Sequence, residues 1–377
     1  MVSEKIVKEA EALMRQKCAE KRKAGTLSKV HEESHMSAVA TFGAATSRAI
    51  MKGINPQNAE IERVSNLTKI AGYLHDCERE ATEKTPHGPA SDAFVYSYWG
   101  KNWSNTLSAI DLQIIRAAIY HHEGSFKDTL NQFGPAVGNG SDFTSIVAHS
   151  IVTGDKAFEA SGYRVLERRS VFVGKERTIK GDLKDIFKYP DEAHLSVLGE
   201  TMIRLYARNP IDEYPDWLKP FAQEWHAIQY QFYKGLLNYT GFDESKAAEF
   251  FLGNKFPKFD QKLVDQIKIQ QHLSGKYFDK EKYPVLAGEI MKLNESSQIE
   301  LYDLSRASWG IVQAIAIEES PEEAIKKYKE GERKFGVPGY YTKFFDGIVA
   351  YREGSDEFVK EIEDKIRAEV EKIVAKQ

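Results

Sequence analysis

The stretch IERVSNLTKIAGYLHD, residues 61–76, decides how the chain is read. Ile61, Val64, Leu67, Ile70, Ala71 and Leu74 recur at spacings of three and four, which predicts a helix with one buried face. The helix ends on His75 and Asp76, side by side. A carboxylate at the inner end of an apolar helix is costly to bury alone, and a cation is its economical partner. Successive side chains on a helix diverge by about 100°. Both groups can therefore reach one ion only from the last turn or from a distorted end. The bland alternative is a capped C-terminus, with His75 on the last carbonyls and Asp76 in solvent.

Working outward, the pattern is helix after helix. Ile6, Ala10, Leu13, Met14 and Cys18 mark an amphipathic helix over about 3–22. A second begins near Ser28 and carries His31, His35, Val39, Phe42 and Ala49, until Gly53-Ile54-Asn55-Pro56 breaks it. A helix from about Ser91 and the strongly apolar run from Leu107 to His121 follow. Residues 134–140 form a glycine-rich loop without the strand and the Lys-Ser/Thr of a phosphate-binding loop. Ser141 or Asp142 then caps a helix reaching about Ala160. Val171 to Ile179 predicts a small β-hairpin, and from Glu192 the pattern is helical again. The expected fold is all-α. A domain covers 1–165, a linker with the hairpin 166–190, and a second, mostly helical domain of unassigned role 191–377.

Composition narrows the function classes. A chain of 377 residues with a net charge of −4 has no global attraction to nucleic acid or membrane. Two cysteines, Cys18 and Cys77, exclude a disulfide framework and a zinc ribbon and suit a reducing compartment. The N-terminus has no signal-peptide pattern and no stretch is apolar enough for a membrane span, so the expected location is cytoplasmic.

Seven of the ten histidines lie in the first 150 residues. His35 shares a helix face with Val39 and Phe42, His87 opens a helix through His87-Gly88-Pro89-Ala90, and His121-His122 end the apolar run. Asp155 lies four and three residues after Ile151 and Val152. Imidazole nitrogens and carboxylate oxygens converging from several helices suit a divalent ion of the Mn, Fe, Co, Ni, Mg or Zn type, one or two per site. His149, six residues from Asp155 and off its face, is expected to be structural.

The set His35-Met36-Ser37-Ala38-Val39, Gly72-Tyr73-Leu74-His75-Asp76-Cys77 and Ile151-Val152-Thr153-Gly154-Asp155-Lys156 resembles the HD superfamily of metal-dependent phosphohydrolases over about residues 28–165. The resemblance implies an HD-type helical core in which His35, His75, Asp76 and Asp155 hold the primary ion. His87 and His121 or His122 would hold a second ion, as in two-metal branches. His87-Gly88-Pro89-Ala90 looks like the diadenosine-polyphosphate hydrolase branch and His121-His122-Glu123 like the cyclic-dinucleotide phosphodiesterase branch, although the short gap from Asp76 to His87 departs from both. Many branches have a lysine three positions after the aspartate. Here Arg79 stands there, able to bind phosphate bidentately but not to donate a proton, and Lys156 offers a second positive charge. The implied activity is hydrolysis of a phosphate ester or phosphoanhydride, on a small phosphorylated substrate such as a nucleotide or cyclic nucleotide. Asp76, Arg79 and Lys156 would be its catalytic groups.

Three rivals stand beside it. A di-iron oxygenase of the same superfamily would use the extra histidines. A non-catalytic module would sense a nucleotide and engage a partner. A zinc protease is suggested by His31-Glu32-Glu33-Ser34-His35, with Glu60 or Glu62 as the nearest third ligand, but it leaves His75-Asp76 and Asp155 unexplained. The C-terminal half, with His194, His226 and His272 far apart, carries no site; its helices would cover the active site, set specificity or make a homo-oligomer.

Overall fold

The computed structural model describes residues 2–27, 31, 33–80, 86–133, 142–158, 213–220, 222 and 356–376. Every regular element among them is helical and none is a strand. The expected hairpin at 171–179, the loop at 134–140 and the three C-terminal histidines lie outside the described residues. Among the described residues no helix is long and apolar enough to cross a membrane.

Helices α1 (Glu4–Ala24), α2 (Glu33–Ile54) and α3 (Ile61–Leu74) form the first layer. They are followed by α4 (His87–Tyr98), a π-helical turn (Trp99–Trp103), α5 (Ala109–His121), α6 (Phe126–Phe133) and α7 (Phe143–Val152). A second π-helical turn, Thr153–Phe158, continues α7, and α8 (Asp356–Val374) closes the described chain. The hydroxyl of Ser108 accepts from the Asp111 amide at 3.1 Å and starts α5; Asp142 accepts from the Ser145 amide at 3.1 Å and starts α7. Each satisfies an amide that the first turn leaves without an intrahelical partner.

The core follows the apolar stripes. Val64, Leu67, Ile70, Ala71 and Leu74 of α3 are fully buried, as the spacing predicts. Helix α2 is buried on more than one side, through Val39, Ala40, Phe42, Ala44, Ala45, Ala49 and Ile50. Its many alanines fit that position, because α3, α7 and α8 all pack on it. Ile110, in the apolar run of α5, instead faces outward at 70% exposure, while Leu112, Ile114, Ile115, Ala118 and Ile119 turn inward.

The chain divides into two units that are not simple halves. The first comprises Met1–Ala160, Glu213–Lys219 and Ala350–Gln377; the second comprises Ser161–Asp212 and Pro220–Val349. The sequence reading grouped α8 with the residues before it in 191–377, but α8 belongs to the first unit. Val359, Ile362, Ile366 and Val370 are buried, each contributing about 1.5–3 kcal/mol of gross transfer free energy. Between them the Glu363 carboxylate accepts from Arg48 Nε at 3.0 Å and Lys52 Nζ at 2.6 Å, both on α2. The apolar stripe of α8 is thus covered by its own chain.

Candidate metal centre

Three elements deliver the first four groups. His35 comes from the first turn of α2, His75 and Asp76 from the end of α3, and Asp155 from the π-helical turn after α7. Helix α3 stops at Leu74, and the turn that follows lets His75 and Asp76 converge. His75 Nε2 lies 3.5 Å from Asp76 Oδ2 and 3.2 Å from His35 Nε2; His35 Nε2 lies 3.4 Å from Asp76 Oδ2 and 3.5 Å from Asp155 Oδ1. All four residues are at most 9% exposed. The bland capping alternative is half realised. His75 Nδ1–H donates to the Gly72 carbonyl at 2.7 Å, yet Asp76 is 2% exposed and nowhere near solvent.

The other oxygen of Asp76 faces a second group. Oδ1 lies 3.1 Å from His87 Nε2 and 3.2 Å from His122 Nε2, and those two nitrogens are 3.1 Å apart. His122 Nδ1–H donates to the Ile119 carbonyl at 2.7 Å, the same three-residue reach that His75 makes to Gly72. In a neutral imidazole only one nitrogen carries hydrogen. A neutral ring at either position therefore turns its Nε2 lone pair toward Asp76.

The electrostatics agree. Burial pushes the His75 pKa down to about 3, outweighing the pull of Asp76, so the ring is neutral. Burial works against ionising Asp76, but its closeness to His75 and to the ring nitrogens of His122, His35 and His87 holds its carboxyl well below the usual range. Asp155 behaves alike. Burial works against ionisation, and Lys156 at 3.0 Å, with His35 and His75, holds it well below the ordinary value. Two ionised carboxylates beside the neutral His75 ring make a pocket of negative charge. Burial drives the adjacent Cys77 thiol up to about 12, so it supplies no thiolate.

No significant match to this chain emerges among protein-family models, curated proteins or solved structures. Asp76 Oδ2 is buried and accepts no hydrogen bond, although an orphaned buried acceptor costs about 1–3 kcal/mol. A cation among His35, His75, Asp76 and Asp155 would satisfy it. The mixed nitrogen and oxygen donors fit a first-row divalent ion. Two clusters, His35–His75–Asp155 and His75–Asp76–His122, and a third, His31–His35–Asp76, each have ligand atoms within 4.8 Å of one another.

The structure thus brings together His35, His75, Asp76, Asp155, His87 and His122. It places His121 elsewhere: Nε2 lies 2.9 Å from Gln132 Nε2, and the ring sits edge-on to Phe133. One residue along a helix end turns the side chain by about a quarter of a circle, so only one of the paired histidines faces in. His149 is buried in α7 and belongs to none of the clusters. Glu60 bonds Arg63, and neither it nor Glu62 joins a cluster, so the carboxylate beside His31 and His35 is Asp76 rather than either of the two that the protease reading offered.

Arg79 and Lys156 stand at the rim with side chains 27% and 35% exposed. Arg79 Nη1 is 3.2 Å from His87 Nε2 and 3.5 Å from Asp76 Oδ2. Sequence reasoning gave no role to Lys21, which donates to the Arg79 carbonyl at 2.8 Å, or to Lys17, which pairs with Glu78 at 2.6 Å. Together they tie the segment carrying Arg79 to α1. Lys21 interrupts the apolar stripe of α1 with no local mark of its distant partner.

Proposed function

We propose that this chain is an HD-type, metal-dependent phosphohydrolase that cleaves a phosphate ester or phosphoanhydride, with a nucleotide or cyclic nucleotide as the substrate class. One observation carries the reading. Four groups from three distant parts of the sequence meet, buried, around an Asp76 oxygen that no hydrogen bond satisfies, with two cationic side chains at the rim. His35, His75, Asp76 and Asp155 would hold the first ion, and Asp76, His87 and His122 a second.

A divalent ion bound there supplies a lowered water pKa and Lewis acidity toward a phosphoryl oxygen. The chain's own residues do the rest. Asp76 spans both ligand groups with one oxygen each, which fixes their separation. Arg79 presents a planar pair of donors suited to two phosphate oxygens, and Lys156 adds a point charge. The guanidinium keeps its proton, so its part is binding and charge neutralisation rather than acid catalysis. Metal analysis of the purified protein, followed by assay on a panel of nucleotides, cyclic nucleotides and generic phosphodiesters, tests the reading. His75→Ala and Asp76→Ala should each abolish bound metal and turnover; retention of both properties overturns it.

The sharing of Asp76 between two groups also favours a second reading, a di-iron oxygenase. Turnover that requires dioxygen and reduced iron, with no phosphate release, selects it. A metal-loaded protein that binds nucleotide without turnover selects a sensing module instead.

A further inference from the structure

The Glu123 carboxylate makes two contacts at once. Oε1 lies 2.8 Å from His87 Nδ1, and Oε2 accepts from the Gly88 amide at 3.0 Å. The start of α4 is thereby held against the end of α5. The approach is close: a Cβ on Gly88 would lie 2.8 Å from the Tyr120 carbonyl oxygen and 3.0 Å from Glu123 Oε2. His75 and His122 have their tautomers set by carbonyls of their own helices. His87 is the first residue of α4 and so has no carbonyl of its own helix to bond; the Glu123 carboxylate stands beside its Nδ1 instead.

Resting on the metal-centre reading above, we propose that the site is asymmetric, with Glu123 as the positioning residue that creates its weaker half. His35, His75, Asp76 and Asp155 give the first ion four protein ligands. The second has three, Asp76, His87 and His122, and one of them turns its Nε2 lone pair inward only while the Glu123 carboxylate beside Nδ1 keeps the hydrogen on that nitrogen. The second ion then binds after the first and exchanges more readily, under control of a carboxylate that is not a ligand. Removing such an outer hydrogen bond weakens metal binding about 10–100-fold.

Glu123→Gln separates this role from simple capping. A glutamine can still accept from the Gly88 amide through its one carbonyl oxygen. Its other group is then an NH2 facing His87 Nδ1, which favours the imidazole with hydrogen on Nε2. The expected result is a full-length variant that melts like the wild type without metal and binds the first ion unchanged. It loses affinity for the second ion about 10–100-fold in Mn(II) titrations, and the exchange-coupled electron paramagnetic resonance signal gives way to that of an isolated ion. His87→Ala should reproduce this loss.

Wild-type protein that takes only one Mn(II), or an E123Q variant that takes two with wild-type affinities, overturns the inference and leaves the phosphohydrolase reading standing. So does an E123Q variant that loses stability without metal and both ions together, since that is a structural role. Wild-type protein that binds no divalent ion overturns both.

Discussion

Gly72 and Ala40 bring α3 and α2 into backbone contact: a Cβ on Gly72 would lie 2.4 Å from Ala40 Cα and 2.7 Å from its amide nitrogen. That contact holds His75 against His35, because each lies within one to two turns of it along its helix.

Gly72→Ala should therefore part the two helices. Overpacking of this kind typically costs about 1–3 kcal/mol, and here the clash is with backbone that cannot rotate away. A lowered melting temperature together with weakened metal binding is expected. Ala40→Gly in the same chain should restore little, since it removes only the Cβ. Unchanged metal affinity in G72A would show that the helix spacing does not set the centre.

Asp76→Asn distinguishes a site built for an ion from a structural network. Without metal the variant should stay folded, because the amide keeps the shape of the carboxylate. The wild type should gain thermal stability with added divalent ion as ligand linkage requires, by about 2.7 kcal/mol at a hundredfold excess over Kd. The variant should lose that gain. Thermal melts with and without Mn(II) check both halves.

Arg79→Ala should leave metal stoichiometry intact and lower kcat/KM for a phosphorylated substrate about tenfold to a hundredfold, the range expected for a lost hydrogen bond to a charged group. Arg79→Lys should recover part of this, as a point charge replaces a bidentate fork. Equal activity of R79A and wild type would remove Arg79 from substrate binding.

The Glu363 carboxyl is under opposing influences: burial raises its pKa, but hydrogen bonds and charge from Lys52 and Arg48 leave it below the ordinary value. A depressed folded-state pKa gives stability that is full above the unfolded value of about 4.3 and fades as pH falls through the folded one. Glu363→Gln should lower the melting temperature by about 2–4 °C at neutral pH, an effect on the order of 1 kcal/mol. The difference from wild type should close below about pH 4. A difference that persists in acid would assign the effect to packing.

Much of the architecture can be read from residue spacing. The stripes of α1, α3, α7 and α8 are local, because burial of one helix face imposes a period of 3.6 on its own residues. His75-Asp76 stands out for the same reason, as charge at the inner end of such a stripe. Choosing between His121 and His122 was not possible, since neighbours on a helix end differ only in direction, and direction depends on which helices lie alongside. Lys21 gave no signal, and Glu123, although part of His121-His122-Glu123, gave none of its partner, as they act on groups 58 and 35 residues away.

What the sequence determined by itself is the helical texture, the apolar faces and the types of donor available to an ion. The tertiary structure alone decided that Asp76 turns one oxygen toward His35 and the other toward His87 and His122. It also decided that α8 returns to α2 through Glu363. Periodicity is imposed one residue at a time along a helix, whereas convergence of side chains depends on how closely helices approach, and that distance is set by small residues such as Gly72 meeting their counterparts across the core.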